Sequence, residues 1–350
     1  MRGRQILVEP LPAGGHAAAL MVDGRLEDLL VDPGPEAGPQ PEAVYRAVPG
    51  RPMKGTGGSI VDLGDGVTGF LRATTPPPAG RPLLVQVSGW AEPGKAPPVS
   101  ARLRLKGRTA MLTPGAPGVN LSRNLRDPER RAALLALATG ALAAAGAGEA
   151  TGLVLRTAAA EAEDAEIAAE IAALGANWAA LAGADREPGL LRPAPGAAAT
   201  ALRDWRRPGD AVREAPTALA DAGVWDEVEA LAAPLVALGQ GSMAVEPTLA
   251  LVAVDVNTGA DLSPAAALKA NLAAAGELPR QLRLRGLGGQ VAIDFAPLAR
   301  ADRPRIERAI GAALKVDMVE TTVAGWTPLG HLELIRKRAR RPLAAPARRS

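Results

Sequence analysis

Three residues offer the chemistry that this sequence can most directly support: Asp255, Asn257 and Asp294. Each aspartate follows an apolar run, Leu249-Ala250-Leu251-Val252-Ala253-Val254 before the first and Gln290-Val291-Ala292-Ile293 before the second. Runs of this length and β-branched content read as strands buried in an α/β layer. Parallel neighbours joined by the helix between them would bring their carboxyl ends to about 5 Å of one another, where ligands of such sheets gather. Two carboxylates so placed can share a divalent ion. Asn257, two residues beyond Asp255, points to the same side of an extended chain and can orient a water or a phosphate oxygen. Mg²⁺ prefers oxygen ligands, keeps several waters and is often held by one or two carboxylates plus a substrate phosphate. On a phosphodiester it would polarise a phosphoryl oxygen and acidify water without any histidine. An aspartate after a buried strand also caps a following helix or ends the strand, and these residues alone leave that reading open.

Composition narrows the choice. The 350 residues contain no Cys, which excludes disulfides, thiolate nucleophiles and Cys-ligated zinc and fits a reducing compartment. His16 and His331 are the only imidazoles, too few for a three-His zinc site. Carboxylates must carry any hydrolytic chemistry. The net charge is only +3, but the pI near 9.6 and the Arg-rich stretches 280–285 and 336–341 suit a polyanionic partner; high-GC coding would inflate Arg with Ala, Gly and Pro in the same way. No apolar run reaches the ~18 residues of a spanning helix and the N-terminus lacks a long apolar h-region, so a cytoplasmic protein is expected.

The elements that must position these residues follow from patterning. At 350 residues, two or more packed units are expected. Residues 4–8 and 17–22 predict a hairpin, and 32–41 a Pro/Gly-rich loop or linker. Short alternating segments at 59–63, 69–71, 83–87 and 101–105 predict a small β-barrel, with Arg102 and Arg104 on one face of the last strand and Leu103 and Leu105 on the other. That face is either a nucleic-acid surface or a merely solvated one. Helices are predicted at 127–147 and 159–182 around a strand at 151–157. A short helix around 197–206 follows, in a segment otherwise rich in Pro, Gly and Arg. Then come a helix at 225–232, strands at 243–246 and 249–254, a helix at 264–285, a strand at 290–293 and a helix at 302–314. This last alternation indicates a parallel α/β layer.

The run Val254-Asp255-Val256-Asn257-Thr258-Gly259, then Lys269-Ala270-Asn271-Leu272, Arg280-Gln281-Leu282-Arg283-Leu284-Arg285, Gly288-Gly289 and Ile293-Asp294-Phe295, resembles the nuclease core of the ribonuclease E/G family. The resemblance implies a mixed α/β, multidomain chain. Its parts would be an RNase H-like subdomain at 1–34 and 195–244, an OB-fold RNA-binding barrel at 35–112 and a 5′-sensor-like subdomain at 113–194. A DNase I-like catalytic subdomain would span 245–335, with a basic tail at 336–350. It implies a Mg²⁺-dependent endoribonuclease that hydrolyses single-stranded RNA to 5′-phosphate and 3′-hydroxyl ends, with Asp255 and Asp294 as metal ligands and Asn257 as the third active-site residue.

By the same resemblance Phe70 and Lys95 match RNA-contacting positions of the barrel, Arg156 and Thr157 the site for a 5′-monophosphate, and Arg123 its neighbour. Arg280, Arg283 and Arg285 form a basic helix expected to face RNA. Read without the family, Phe70 can equally be a barrel-core residue and Arg156 a surface charge. Several positions depart from the family pattern: Ile60 stands in place of a second aromatic, Asn124 in place of a second Arg, Ala273 in place of Glu and Pro297 in place of an acid, while Pro279 interrupts a helix. The Cys pair of the family's zinc link is absent, which leaves the oligomeric state open. Two other readings stand beside the nuclease: an RNA-binding protein of the same fold with weak or lost catalysis, and a small-molecule phosphohydrolase using the same carboxylates.

Overall fold

The computed structural model describes residues 3–343 apart from 54, 56, 74, 93, 185 and 186; residues 344–350 of the expected basic tail lie outside the described residues. The chain divides into two compact units. One comprises the chain up to Leu11, Ala17–Val31 and the chain from Val212 onward; the other comprises Pro12–His16 and Asp32–Ala211.

Strands β1 (Arg4–Pro10) and β2 (His16–Val22) form as predicted, and β3 (Arg25–Val31) pairs antiparallel with β2. The turn between β2 and β3 is Asp23-Gly24, with φ of 51° and 81°; positive φ at both central residues matches the twist of a tight hairpin and explains the Asp-Gly dipeptide.

In the second unit, β4 (Val44–Met53), β5 (Gly58–Gly64), β6 (Val67–Arg72), β7 (Leu83–Val87) and β8 (Pro98–Ser100) close into a five-stranded barrel. The hydrogen-bonded order is β4-β5-β6-β8-β7, and β7 returns to β4. Inward-facing Val61, Leu63, Leu71, Val85, Val87 and Val99 fill it. The segment 101–105 is not a barrel strand, contrary to expectation. The side chain of Gln86 donates to the Arg104 carbonyl at 3.1 Å and accepts from the Arg104 amide at 2.8 Å. A side-chain amide thus replaces the backbone ladder there, and the chain leaves the barrel. Leu103 and Leu105 are buried as the alternation predicted, but in the neighbouring core.

That core lies under a sheet of β9 (Leu105–Lys106), β10 (Ala110–Pro114), β11 (Gly118–Leu121) and, after helix α1 (Pro128–Ala144), β12 (Thr151–Leu155), in the order β11-β12-β10-β9. Asp127 caps α1 by accepting from the Glu129 and Arg130 amides. Helix α2 (Asp164–Gly183) adds Ile167, Ile171 and Leu174 to this core. Strand β13 (Gly189–Arg192) then pairs with β4, and helix α3 (Ala197–Asp204) follows.

Returning to the first unit, β14 (Ala211–Glu214) joins the edge of β1. The short helices α4 (Ala218–Asp221) and α5 (Val224–Ala230) bury Leu219, Val224 and Val228 against the β1–β3 sheet. The remaining chain forms β15 (Leu235–Leu238), β16 (Gly241–Pro247), β17 (Val252–Asn257), α6 (Pro264–Leu284), β18 (Gly289–Asp294), α7 (Arg303–Val316), β19 (Thr321–Trp326) and β20 (Leu332–Arg336). Its six strands run in the order β15-β16-β17-β18-β20-β19, and only β17 and β18 are parallel. Strand β17 starts three residues later than the apolar run suggested. The Thr248 hydroxyl accepts from the Ala250 and Leu251 amides, holding 248–251 in a turn that leaves Leu249 fully exposed.

Helix α6 is buried on more than one side. Ala270, Ala274, Leu278 and Leu282 pack on Val252, Val254, Val291 and Ile293, while Leu284 enters the β1–β3 core. Pro279 lies within the helix without ending it. The segment expected to open a basic tail is part of the fold: Arg336 ends β20 and is 2% exposed, Arg338 donates to the Gly288 carbonyl at 2.9 Å, and Arg340 pairs with Asp28 at 2.9 Å. Among the described residues no helix is long and apolar enough to cross a membrane.

Candidate active site

The parallel pair β17–β18 sets the geometry. Its register aligns Val252 with Val291, Val254 with Ile293, and Asp255 with Asp294. Along β17 the buried residues are Val252, Val254 and Val256, so Asp255 and Asn257 face the open side of the sheet by the two-residue period of a strand. On β18, Val291 and Ile293 are buried and Asp294 is exposed. The two carboxylates are therefore lateral neighbours on one solvent-facing surface, at the carboxyl end of the only parallel strand pair in this sheet. They do not cap helices: α6 is capped by Ser263, whose hydroxyl accepts from the Ala266 amide at 3.2 Å.

Asn257 donates from Nδ2 to Asp255 Oδ2 at 2.7 Å, which fixes the direction this carboxylate faces. On the other flank His331 places Nε2 3.8 Å from Asp294 Oδ1, with 38% of the imidazole and 65% of the carboxylate exposed. Among the described residues no Lys or Arg forms an ion pair with Asp255 or Asp294, and no group of three or more His, Asp or Glu side chains is gathered closely enough to hold a metal alone. The donor set is two oxygen-bearing acids with no Lys or Arg partner among the described residues. It fits a hard divalent cation that keeps waters and takes its remaining ligands from an oxyanion. The floor beside the pair is small, with Ala253 and Ala292 aligned one step back.

The loop after Asp294 is held from behind. Asn271, fully buried on α6, exchanges both hydrogen bonds with the Ala296 backbone, at 2.9 and 3.0 Å. Phe295 packs on Trp326 with ring centroids 5.8 Å apart, and the Arg303 guanidinium lies 4.5 Å from the Trp326 ring centre. Neither His331 nor this aromatic group was legible in the sequence, because strands β19 and β20 went unread there. An imidazole beside an acid carries no local signal when the two are far apart in the chain.

The remaining site residues are dispersed. Phe70 is not in the barrel core: flanked by buried Gly69 and Leu71 it faces outward, half-buried, opposite Ile60 on β5 and Pro98 on β8. Its ring lies over Gly58, where any Cβ would collide with it. Lys95 is exposed and paired with Glu92 at 2.7 Å. Arg123 is exposed, and Thr157 shares a 3.0 Å hydrogen bond with Ser122. Arg156 is engaged by Asp204 at 2.7 Å and by the Gly107 carbonyl.

The expectation that Arg280, Arg283 and Arg285 face RNA needs correction, because all three turn inward. Arg280 donates to the Leu26 carbonyl at 2.7 Å and to Glu277 at 2.8 Å. Arg283 binds Glu27 at 2.6 Å and Asp317 at 3.1 Å, and Arg285 caps the chain at Leu231 and Ala233 by donating to both carbonyls. A helix wedged between layers must satisfy its buried cations within the protein. Burial pushes the Asp28 carboxyl up from its ordinary value, although Arg340 and Arg283 pull the other way.

The family model described as the ribonuclease E/G family matches residues 104–212 and 210–339. Ribonuclease E of Nostoc sp. is 28% identical over 379 aligned residues, covering 92% of this chain and 54% of that protein. Ribonuclease E of Synechocystis sp. is 28% identical over 302 residues, with 73% and 44% covered. Ribonuclease G of Salmonella typhimurium is 38% identical over 105 residues, 29% of this chain and 22% of that protein. The chain thus spans about half the length of the first of these relatives and less of the others. The matched stretch 210–339 contains β17, α6, β18 and β20, hence all three candidate site residues and His331, and on this match the chain belongs to the ribonuclease E/G family.

Proposed function

We propose that this chain is a Mg²⁺-dependent endoribonuclease of single-stranded RNA, with Asp255 and Asp294 as the cation ligands and Asn257 as their partner. The observation that carries this reading is the in-register, solvent-facing pair of carboxylates, which has no Lys or Arg ion partner among the described residues. When bound, the cation would supply Lewis-acid polarisation of the scissile phosphate and a more acidic water, consistent with 5′-phosphate and 3′-hydroxyl products. The protein's own part is positional. The β17–β18 register fixes the spacing of the two acids, Asn257 orients Asp255, and His331 stands beside Asp294. The alanine floor leaves room for a sugar-phosphate chain to lie against the sheet.

In this reading the barrel, 35–112, is an OB-type RNA-binding module presenting Phe70 and Lys95, and 113–194 is a sensor-like part with Arg123, Arg156 and Thr157. Residues 1–34 with 195–244 are RNase H-like and 245–335 DNase I-like. The protein works in RNA processing or decay in the cytoplasm. Arg280, Arg283 and Arg285 hold α6 in place and take no part in binding RNA.

The test is incubation of the purified protein with Mg²⁺ and a single-stranded, A/U-rich RNA. Cleavage to 5′-phosphate products, abolished by Asp255→Asn and by Asp294→Asn, is the expected result. Binding without cleavage would sink the enzyme and leave an RNA-binding protein. Binding that does not weaken with added salt would point to a small substrate.

A further inference from the structure

Helix α7 begins where the loop after Asp294 ends, and its first residue, Arg303, is a cation that the protein leaves without an acid. Other arginines of this unit engage their donors within the fold: Arg280, Arg283 and Arg285 on α6, and Arg336, Arg338 and Arg340 at and beyond the end of β20, all donate to carboxylates or backbone carbonyls. The Arg303 guanidinium instead lies over the Trp326 ring, 4.5 Å from its centre, and takes part in no ion pair or hydrogen bond among the described residues. Of its three nitrogens only Nε is buried without a partner. The two acids nearest to it in the chain are occupied elsewhere. Asp302 accepts from Arg305 at 3.1 Å, and Glu307, placed as an i,i+4 partner, accepts from Trp326 Nε1 at 2.6 Å. A guanidinium held by an aromatic face instead of a carboxylate keeps its N–H groups for another acceptor.

Two contacts tie this cation to the open carboxylates. The indole beneath Arg303 also packs on Phe295, the residue after Asp294, with ring centroids 5.8 Å apart. A Cβ built on Gly330 would lie 3.4 Å from Arg303 Nη2, and the next residue, His331, has its Nε2 3.8 Å from Asp294 Oδ1. Arg303 therefore stands at the rim of the carboxylate pair but is bound to neither acid, and it does not compete with a metal ion for them.

We propose that Arg303 is a phosphate-binding residue: seated on Trp326, it holds the RNA backbone at a phosphate neighbouring the one that lies at Asp255 and Asp294. The inference rests on the reading above of this chain as one that acts on single-stranded RNA. The group recognised is an internal phosphodiester, met by charge and N–H donors, whatever the base.

The experiment measures fluorescence anisotropy of a short labelled single-stranded RNA against the full chain in EDTA, over a range of NaCl concentrations. Arg303→Ala is expected to weaken binding about five- to ten-fold in low salt, as loss of a charge-assisted contact should. It should also flatten the slope of log K against log salt by about 0.7, the contribution of one neutralised phosphate on a single strand. Arg303→Lys is expected to keep the wild-type slope and recover only part of the affinity, because an ammonium has no planar fork to lay on the indole. A folded Arg303→Ala, checked by its melting profile, with wild-type slope and affinity overturns the proposal. If the alanine variant does not fold, Arg303→Gln, which keeps a planar group over Trp326 without the charge, is read in the same way.

Placement is tested by making one linkage at a time a neutral methylphosphonate. In the wild type one replacement should tighten binding, by relieving repulsion from the two bare carboxylates. An adjacent replacement should weaken it, and should have no further effect in Arg303→Ala. A linkage coupled to Arg303 but distant from the tightening one overturns the proposal. Failure of the wild type to bind RNA at any salt concentration would remove the RNA reading itself, and the proposal with it.

Discussion

Asp28 and Asp317 are buried and ringed by guanidiniums: Arg340 lies 2.9 Å and Arg283 3.5 Å from Asp28, and Arg336 lies 2.9 Å and Arg283 3.1 Å from Asp317. Asp255 and Asp294, in the same unit, share an open sheet face and have no Lys or Arg partner among the described residues. The first pair shows what the fold does when an acid is structural: it brings cations from α6 and from β20 onward. The second is an acidic pair that no Lys or Arg among the described residues neutralises. In the proposed function a cation from solution supplies to Asp255 and Asp294 the charge that arginines supply to Asp28 and Asp317.

The comparison can be broken most forcefully at its structural end. Arg283→Ala removes the cation shared by Asp28, Asp317 and Glu27 and is expected to cost about 3–5 kcal/mol of stability, read from chemical denaturation. Its effect on the salt dependence of RNA binding should be nil; a shallower slope would return Arg283 to the RNA surface. At the open end, Asn257→Ala should lower activity roughly 10- to 100-fold, the scale on which loss of a ligand's hydrogen-bonded partner is felt, with little change in melting temperature. A variant of full activity would show that the 2.7 Å bond to Asp255 positions nothing.

The sequence made the active end more legible than the structural one. Two apolar runs ending in Asp, with one helix between them, sufficed to anticipate the parallel pair, because strand period and crossover topology are local or nearly local facts. Arg280, Arg283 and Arg285 misled because a basic helical stretch reads as a surface, and only tertiary packing reveals that β3 covers Arg280 and Arg283 and that the chain at 231–233 takes up Arg285. Phe70 was ambiguous until the register with Ile60 put it outside the barrel. His331 and Trp326 were missed because β19, which ends at Trp326, and β20, which begins just after His331, are short, and their partners lie far away in sequence.

Acid should separate the two kinds of carboxylate further. Glu42 and Asp204 are held below their ordinary values of 4.5 and 3.8, against burial, by Arg203 and its neighbours. Their stabilisation is complete above those values and is lost as pH falls through the lowered ones. Asp28 is raised, so its ionised form opposes folding and its protonation on acidification favours it. The midpoint of thermal unfolding should therefore fall in acid, and fall more steeply in Asp28→Asn, which lacks the opposing contribution. An Asp28→Asn profile parallel to the wild type would show that Asp28 does not titrate in this range. The smallest expected effect is on the open pair itself: Asp255→Asn relieves repulsion between lateral neighbours and should raise stability by about 0.2–1 kcal/mol in the absence of divalent cations. A loss would mean that the 2.7 Å hydrogen bond Asp255 accepts from Asn257 outweighs that repulsion.

The two acids belong to strands that become neighbours only after the long crossover through α6 has folded back between them. A polypeptide still emerging from the ribosome thus carries Asp255 without Asp294 at its side, and the proposed cation site exists only once both strands have paired.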